Sequence, residues 1–222
     1  MTSFAAFRAI WMALSGRVIR IALAYVILLS LVLILGLLWE FETGGETSSP
    51  GRIGYEFFAA SMFITLWLLP PVVSHVFIEP GDLWAGVMFA LSFGLFLLFL
   101  STPHITALWL GVGGINLQGT ASGAISILIS VLTFSLLGAC LGRFSAWIYP
   151  LILLFTFSHY LVGGRSKGYL QFLSPIIDLT SFSTVRWVNL GLMSLMSCVL
   201  ALMLCLGGRH RAKRHRGARL MV

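Results

Sequence analysis

The chain has 222 residues, of which 59% are hydrophobic and only 9% charged, with a formal net charge of +7. A soluble domain carries roughly 25% charged residues, so the composition excludes one and predicts an all-α polytopic membrane protein. At about 20 residues per span there is room for some six helices and no separate soluble domain. Six of the fourteen positive residues, Arg209, Arg211, Lys213, Arg214, Arg216 and Arg219, form a basic tail from 207 to 222. In a polytopic chain such a tail is a topology signal. The expected partner of the surface is therefore the lipid bilayer, with no nucleic acid.

In chain order, residues 1–20 place Phe4, Phe7, Ile10, Trp11 and Leu14 at helical spacing, interrupted by Arg8, Arg17 and Arg20. That pattern predicts a cytoplasmic amphipathic interface helix. The run 21–38 is too long for a signal-peptide core and lacks a small-residue cleavage pattern, which predicts an uncleaved first span. Residues 39–52 read as an outer loop, punctuated by Gly44, Gly45, Pro50 and Gly51. A second span, 57–74, contains Pro70-Pro71 and should kink or end there. The short acidic connection His75 to Asp82 leads into a third span, 83–100.

Residues 101–120 are apolar in the middle but hold Pro103 and four glycines, which predicts a re-entrant or interfacial segment. Spans at 121–142, 146–162 and 188–206 complete the single transmembrane domain, 21–206, with a tight turn at Gly142 to Ser145. With both termini inside, ten positive residues lie inside and four (Arg52, Arg165, Lys167, Arg186) outside. The positive-inside rule thus favours an even number of spans and cytoplasmic ends. The two halves share no spacing of Pro, Gly or charge, which argues against an inverted repeat.

Ionisable residues in a bilayer are expensive and so point to function. Glu56 stands at the outer mouth of the second span, where a carboxylate can also simply snorkel to the interface. Asp178 stands in the outer connection, and Glu79 and Asp82 flank Pro80-Gly81 on the inner side. Thr120 to Ala124 (TASGA) with His159 suggests a rhomboid-like intramembrane protease, Ser122 being the nucleophile and His159 its base at the same outer depth. Thr120 replaces that motif's first glycine, the histidine follows on the very next helix, and no HxxxN precedes the serine. Close helix packing selects the same small residues. No pair of histidines has metal-ligand spacing on one helix. Cys140, Cys198 and Cys205 fall in apolar runs and read as small packed or lipid-facing hydrophobes.

Several stretches together resemble the membrane subunit of ABC-2 type transporters, closest to the short gliding-motility-type permeases. They are Gly123 to Gly142, the turn Arg143 to Trp147, Leu173-Ser174-Pro175, and Phe182 to Leu206 with Arg186 and Trp187 at its entry. The resemblance implies a substrate pathway formed with a second permease chain, identical or homologous, in a bacterial inner membrane. This chain would bind no cofactor, because ATP and Mg would sit on separate ABC ATPase subunits. Coupling to them would use Phe7, Arg8, Trp11, Glu79 and Arg143. An outer gate would be built from Glu56, Leu173, Pro175, Ile176 and Asp178. The family's charged ERxxGT-type coupling helix is reduced here to His75 to Asp82. The intramembrane protease and a non-catalytic scaffold of a membrane complex are the competing readings.

Overall fold

The computed structural model describes residues 3–42, 50–78, 82–112, 117–161 and 184–219, at several helix ends through the backbone alone. Among these residues there are seven α-helices and no strand. They are α1 (Ser3–Glu42), α2 (Pro50–Leu68), α3 (Pro70–Ile78), α4 (Leu83–Val112), α5 (Leu117–Leu141), α6 (Ile148–Leu161) and α7 (Thr184–Arg219). A 3₁₀ segment, Gly142–Trp147, joins α5 to α6. Four of the helices are long and apolar enough to cross a membrane, or five spans if the bent α2–α3 pair counts as one. This marks a membrane protein. The fifth expected span, 146–162, falls on α6, whose 14 residues reach about 21 Å, less than a hydrocarbon core of about 30 Å.

The expected break between an interface helix and a first span is absent, because α1 is one helix of 40 residues. The reason is a buried stripe that never changes face. Phe7, Trp11, Leu14, Val18, Ile21, Tyr25, Leu29 and Val32 follow one another at intervals of three or four and all join or pack against the core. Arg8, Arg17 and Arg20 occupy the other, exposed side of the same helix. Residues 1–20 are thus described, from Ser3 on, as an extension of the bundle and not as a separate surface element.

Pro70-Pro71 does break the second span, bending the pair by 42°. Two prolines supply no amide hydrogen, so the carbonyls of Leu66 and Trp67 lose their i+4 donors. Leu69 holds the joint: its amide donates to the Thr65 carbonyl (3.0 Å), and its own carbonyl accepts from Val72 and Val73 (3.1 and 3.0 Å). Helix α3 then runs to Ile78, beyond the expected end at 74 and into the expected inner loop. Asp82 caps the next helix, its Oδ1 accepting from the amides of Trp84 (3.0 Å) and Ala85 (3.3 Å), as an N-cap carboxylate does.

The expected re-entrant segment is corrected as well, since α4 continues through Pro103 to Val112. Pro103 withholds its amide only from the Phe99 carbonyl, and the hydroxyls around it bond other carbonyls: Ser101 Oγ and Thr102 Oγ1 donate to Leu98 at 2.7 and 3.4 Å, and Thr106 Oγ1 donates to Thr102 at 2.9 Å. At the other tight connection the chain reverses at Gly142, whose φ of +55° is ordinary for glycine and strained for other residues. Helix α7 carries the predicted sixth span onward through Arg219. The basic tail is therefore helical along most of its length, as a continuation of α7.

Contacts fix the directions of the helices. Trp11 of α1 meets Phe89, Phe93 and Phe96 of α4, and further along both helices Ser30 meets His104, so α1 and α4 are parallel. The two contacts are separated by about 28 Å along α1 and about 16 Å along α4, which inclines one helix to the other. Thr133 meets Ser197, and Cys140 meets Leu200, so α5 and α7 are parallel too. Helix α6 returns the chain between them, with Ile148 beside Gly138 and Phe155 beside Phe134.

Glycines set the closest approaches. A Cβ on Gly138 would lie 2.8 Å from the Ser74 Cβ and 3.1 Å from Ile148 Cδ1, whereas one on Gly191 would meet nothing within 4 Å. Gly138→Ala should lower stability by about 1–3 kcal/mol through overpacking. Gly191→Ala should leave it unchanged or raise it by up to about 1 kcal/mol through helix propensity. Thermal unfolding of the two variants in detergent, side by side, checks this.

Candidate functional site

Polar side chains inside an apolar bundle must find partners, and two places concentrate them. The first lies between α1, α2 and α4. Tyr25, fully buried, shares a hydrogen bond of 3.2 Å with Ser61, while Thr65 Oγ1 donates to the Ser61 carbonyl at 2.7 Å. A little further along, Ser30 Oγ and His104 Nε2 are 2.9 Å apart. The imidazole stacks on Phe57 with centroids 6.5 Å apart and planes at 23°. Its second nitrogen, Nδ1, is buried and has no hydrogen-bond partner among the described residues.

The second place is the contact of α5 with α7. Ser122, Ser126, Ser130 and Thr133 are buried and recur at intervals of four, four and three, so they occupy one face of α5. Thr133 Oγ1 is 2.7 Å from Ser197 Oγ, so one of the two hydroxyls donates to the other, and the one that accepts keeps its own proton for a carbonyl of its helix, Ile129 at 2.8 Å for Thr133 or Met193 at 3.0 Å for Ser197. Hydrogen bonds of this kind hold membrane helices together by about 0.6–1.7 kcal/mol each. Their chemistry here is cohesion.

The sequence-predicted residues are placed differently. Trp11 is enclosed by the three α4 phenylalanines, with centroids 5.6, 6.1 and 6.5 Å away, and the Phe7 ring lies tilted beside Trp11 at 6.3 Å. Both are half-buried, Trp11 against α4, which leaves Arg8 as the exposed member of the trio. Arg143 stands on the 3₁₀ segment and Glu56 on α2 next to Phe57, with their side chains outside the described set. Glu79, Leu173, Pro175, Ile176 and Asp178 lie outside the described residues altogether.

Ser122 and His159 are not brought to one level. The pairs Ile148/Gly138 and Phe155/Phe134 set an antiparallel register that puts the His159 backbone about level with Ser130. That is roughly 12 Å along α5 from Ser122, and Ser122 is itself buried. Among the described residues no group of three or more His, Cys, Asp or Glu could hold a metal ion. His104 was legible only as a histidine in an apolar stretch beside a proline; its partners are 47 and 74 residues away in the chain.

Compared with family models, curated proteins and solved structures, the chain matches none.

The enclosure of Trp11 yields a direct expectation. Trp11→Ala should destabilise the protein by roughly 3 kcal/mol, the cost of emptying an aromatic site. Phe4→Ala, at a side chain that is 68% exposed, should have little effect. Chemical or thermal denaturation of both variants checks it, and equal behaviour would return the segment to the membrane surface.

Proposed function

We propose that the chain is the permease subunit of an ABC-2 type transporter, forming a substrate pathway with a second permease chain and driven by separate ATPase subunits. The observation that carries this reading is where the helix directions bring the basic residues. The start of α1 with Arg8, the start of α4, the end of α5 with Arg143 and the basic end of α7 all fall at one end of the bundle. A positively charged end built from several helices suits the docking of a soluble partner, and by the positive-inside rule it is the cytoplasmic end.

The bent α2–α3 pair adds support. Irregular backbone at membrane depth is tolerated where protein or a water-lined cavity covers it, and broken helices line pathways in transporters. The exposed apolar rows of α1 (Ile19, Leu23, Ile27, Leu31, Ile34) and α7 (Leu195, Val199, Leu202, Leu206) suit lipid contact.

Purification of the tagged chain from its native membrane tests the proposal. An ABC-class ATPase should accompany it and hydrolyse ATP in the complex. Arg8→Glu combined with Arg143→Glu should weaken that association by roughly tenfold, about 1.4 kcal/mol, without unfolding the bundle. Recovery of the intact chain with no ATPase would contradict the transport reading and favour the scaffold.

A further inference from the structure

A cation on the outward face of a spanning helix needs either a headgroup or a ligand, so the depth of Arg17 and Arg20 decides what they can do. Hydropathy alone puts them at a membrane boundary, just before the run 21–38. Packing puts them deeper. Gly94 of α4 lies against Leu128 of α5, and the start of α4 at Leu83 and the end of α5 at Leu141 are both roughly 17–20 Å along their helices from that contact. Those two ends mark one boundary of the apolar layer. From Asp82 to His104 is roughly 33 Å along α4, close to a hydrocarbon core of about 30 Å. Helix α1 is fastened along this stretch at three levels, by Trp11 on Phe89, Phe93 and Phe96, by Tyr25 on Ser61, and by Ser30 on His104. Arg17 and Arg20 fall between the first two fastenings, roughly 20 and 15 Å along α1 from Ser30. That is near the middle of the layer.

The two arginines are exposed and share a face with Ala13 and Gly16, all four within two turns. A Cβ built on Gly16 would meet nothing within 4 Å, so the surface beside the guanidinium groups is an open notch. Arg20 Nε donates to the Gly16 carbonyl at 3.3 Å, which lays that guanidinium along the helix, and its Nη atoms have no partner among the described residues. The carboxylates of these helices stand elsewhere by backbone position: Glu40 and Glu42 beyond Ser30 on α1, Glu56 beside Phe57 at the level of His104, and Asp82 at the other end, capping α4. Glu46, Glu79 and Asp178 lie outside the described residues. Beyond the notch the same face continues as Ile27, Leu31 and Ile34, all exposed.

We propose that Arg17 and Arg20 hold the acidic headgroup of an anionic amphiphile, a phospholipid-like molecule whose chains lie along Ile27, Leu31 and Ile34. Guanidinium forks match a phosphate bidentately. A free oxyanion would neutralise the two cations and leave the apolar row bare, whereas a zwitterionic lipid would cover the row and bring its own cation to the notch. A second copy of this chain seated on the same face would set like charges together, which is unfavourable. An acidic amphiphile satisfies both halves of the face. Its role as cargo of the pathway rests on the transport reading; its binding does not.

The full chain is extracted from vesicles of phosphatidylcholine with a minor share of phosphatidylglycerol, and the lipids it retains are counted by native mass spectrometry. Phosphatidylglycerol should be enriched on the chain. Arg17→Gln combined with Arg20→Gln should lower its affinity relative to phosphatidylcholine by roughly tenfold, with thermal unfolding unchanged because both side chains are exposed. Arg17→Lys with Arg20→Lys should keep most of the enrichment. Neutralising the tail instead, through Arg209→Gln, Arg211→Gln, Lys213→Gln and Arg214→Gln, should leave the tightest adduct in place. Equal enrichment in the double glutamine variant would overturn the site, and so would an enrichment lost only with the tail charges. Displacement of the lipid by inorganic phosphate would overturn the amphiphile in favour of a free oxyanion. Enrichment on a chain that recovers no ATPase would contradict the transport reading and leave the site standing.

Discussion

In a chain this apolar the backbone cannot turn to solvent for its hydrogen bonds, so every interruption of a helix has to be made good from within the bundle. The three interruptions among the described residues take three forms. At Pro70-Pro71 the chain accepts a bend of 42°, and the Leu69 carbonyl takes two amides. At Pro103 the helix continues while serine and threonine hydroxyls supplement the ladder. At Gly142 a left-handed residue and a 3₁₀ turn reverse the chain before α6. Helix directions follow from where the chain bends or reverses, and the gathering of the basic ends follows from the directions.

The same constraint explains the distribution of polar side chains. Lipid gives helices no hydrophobic reason to associate, so packing and interhelical hydrogen bonds must do so. Close approaches at Gly86, Gly94 and Gly138, where an added Cβ would come within 2.8 Å of a neighbour, supply the first. Thr133 with Ser197, Tyr25 with Ser61, and Ser30 with His104 supply the second. Only the last of these leaves a ring nitrogen without a partner among the described residues.

Membrane class, helical content and the break at Pro70-Pro71 were legible in the sequence, since apolarity and a double proline act locally. The continuity of α1 was legible in principle. Its stripe runs unbroken from Phe7 to Val32, but the arginines of the opposite face drew attention to a surface helix. Pro103 misled for the reverse reason, because a single proline withholds one amide and α4 continues through it. The candidate site was the least legible part. Trp11 with Phe93, Phe57 with His104 and Thr133 with Ser197 are pairings across the whole bundle, and no spacing in the chain announces them. The Trp11 ring packs on the phenylalanines of α4, a tertiary use that a single helix cannot reveal.

The claim on which the rest turns is that α5 and α7 run parallel, which puts Arg143 and the basic end of α7 at the same end of the bundle. Oxidative cross-linking at two levels tests it most directly, using Thr133→Cys with Ser197→Cys, and native Cys140 with Leu200→Cys, each in a chain otherwise free of cysteine. The hydroxyls of the first pair are 2.7 Å apart and Cys140 Sγ lies 3.7 Å from the Leu200 carbonyl, so both pairs should form an intramolecular disulfide. Cross-linking of the crossed pairs instead, Thr133→Cys with Leu200→Cys and Cys140 with Ser197→Cys, would reverse α7 and contradict the shared basic end.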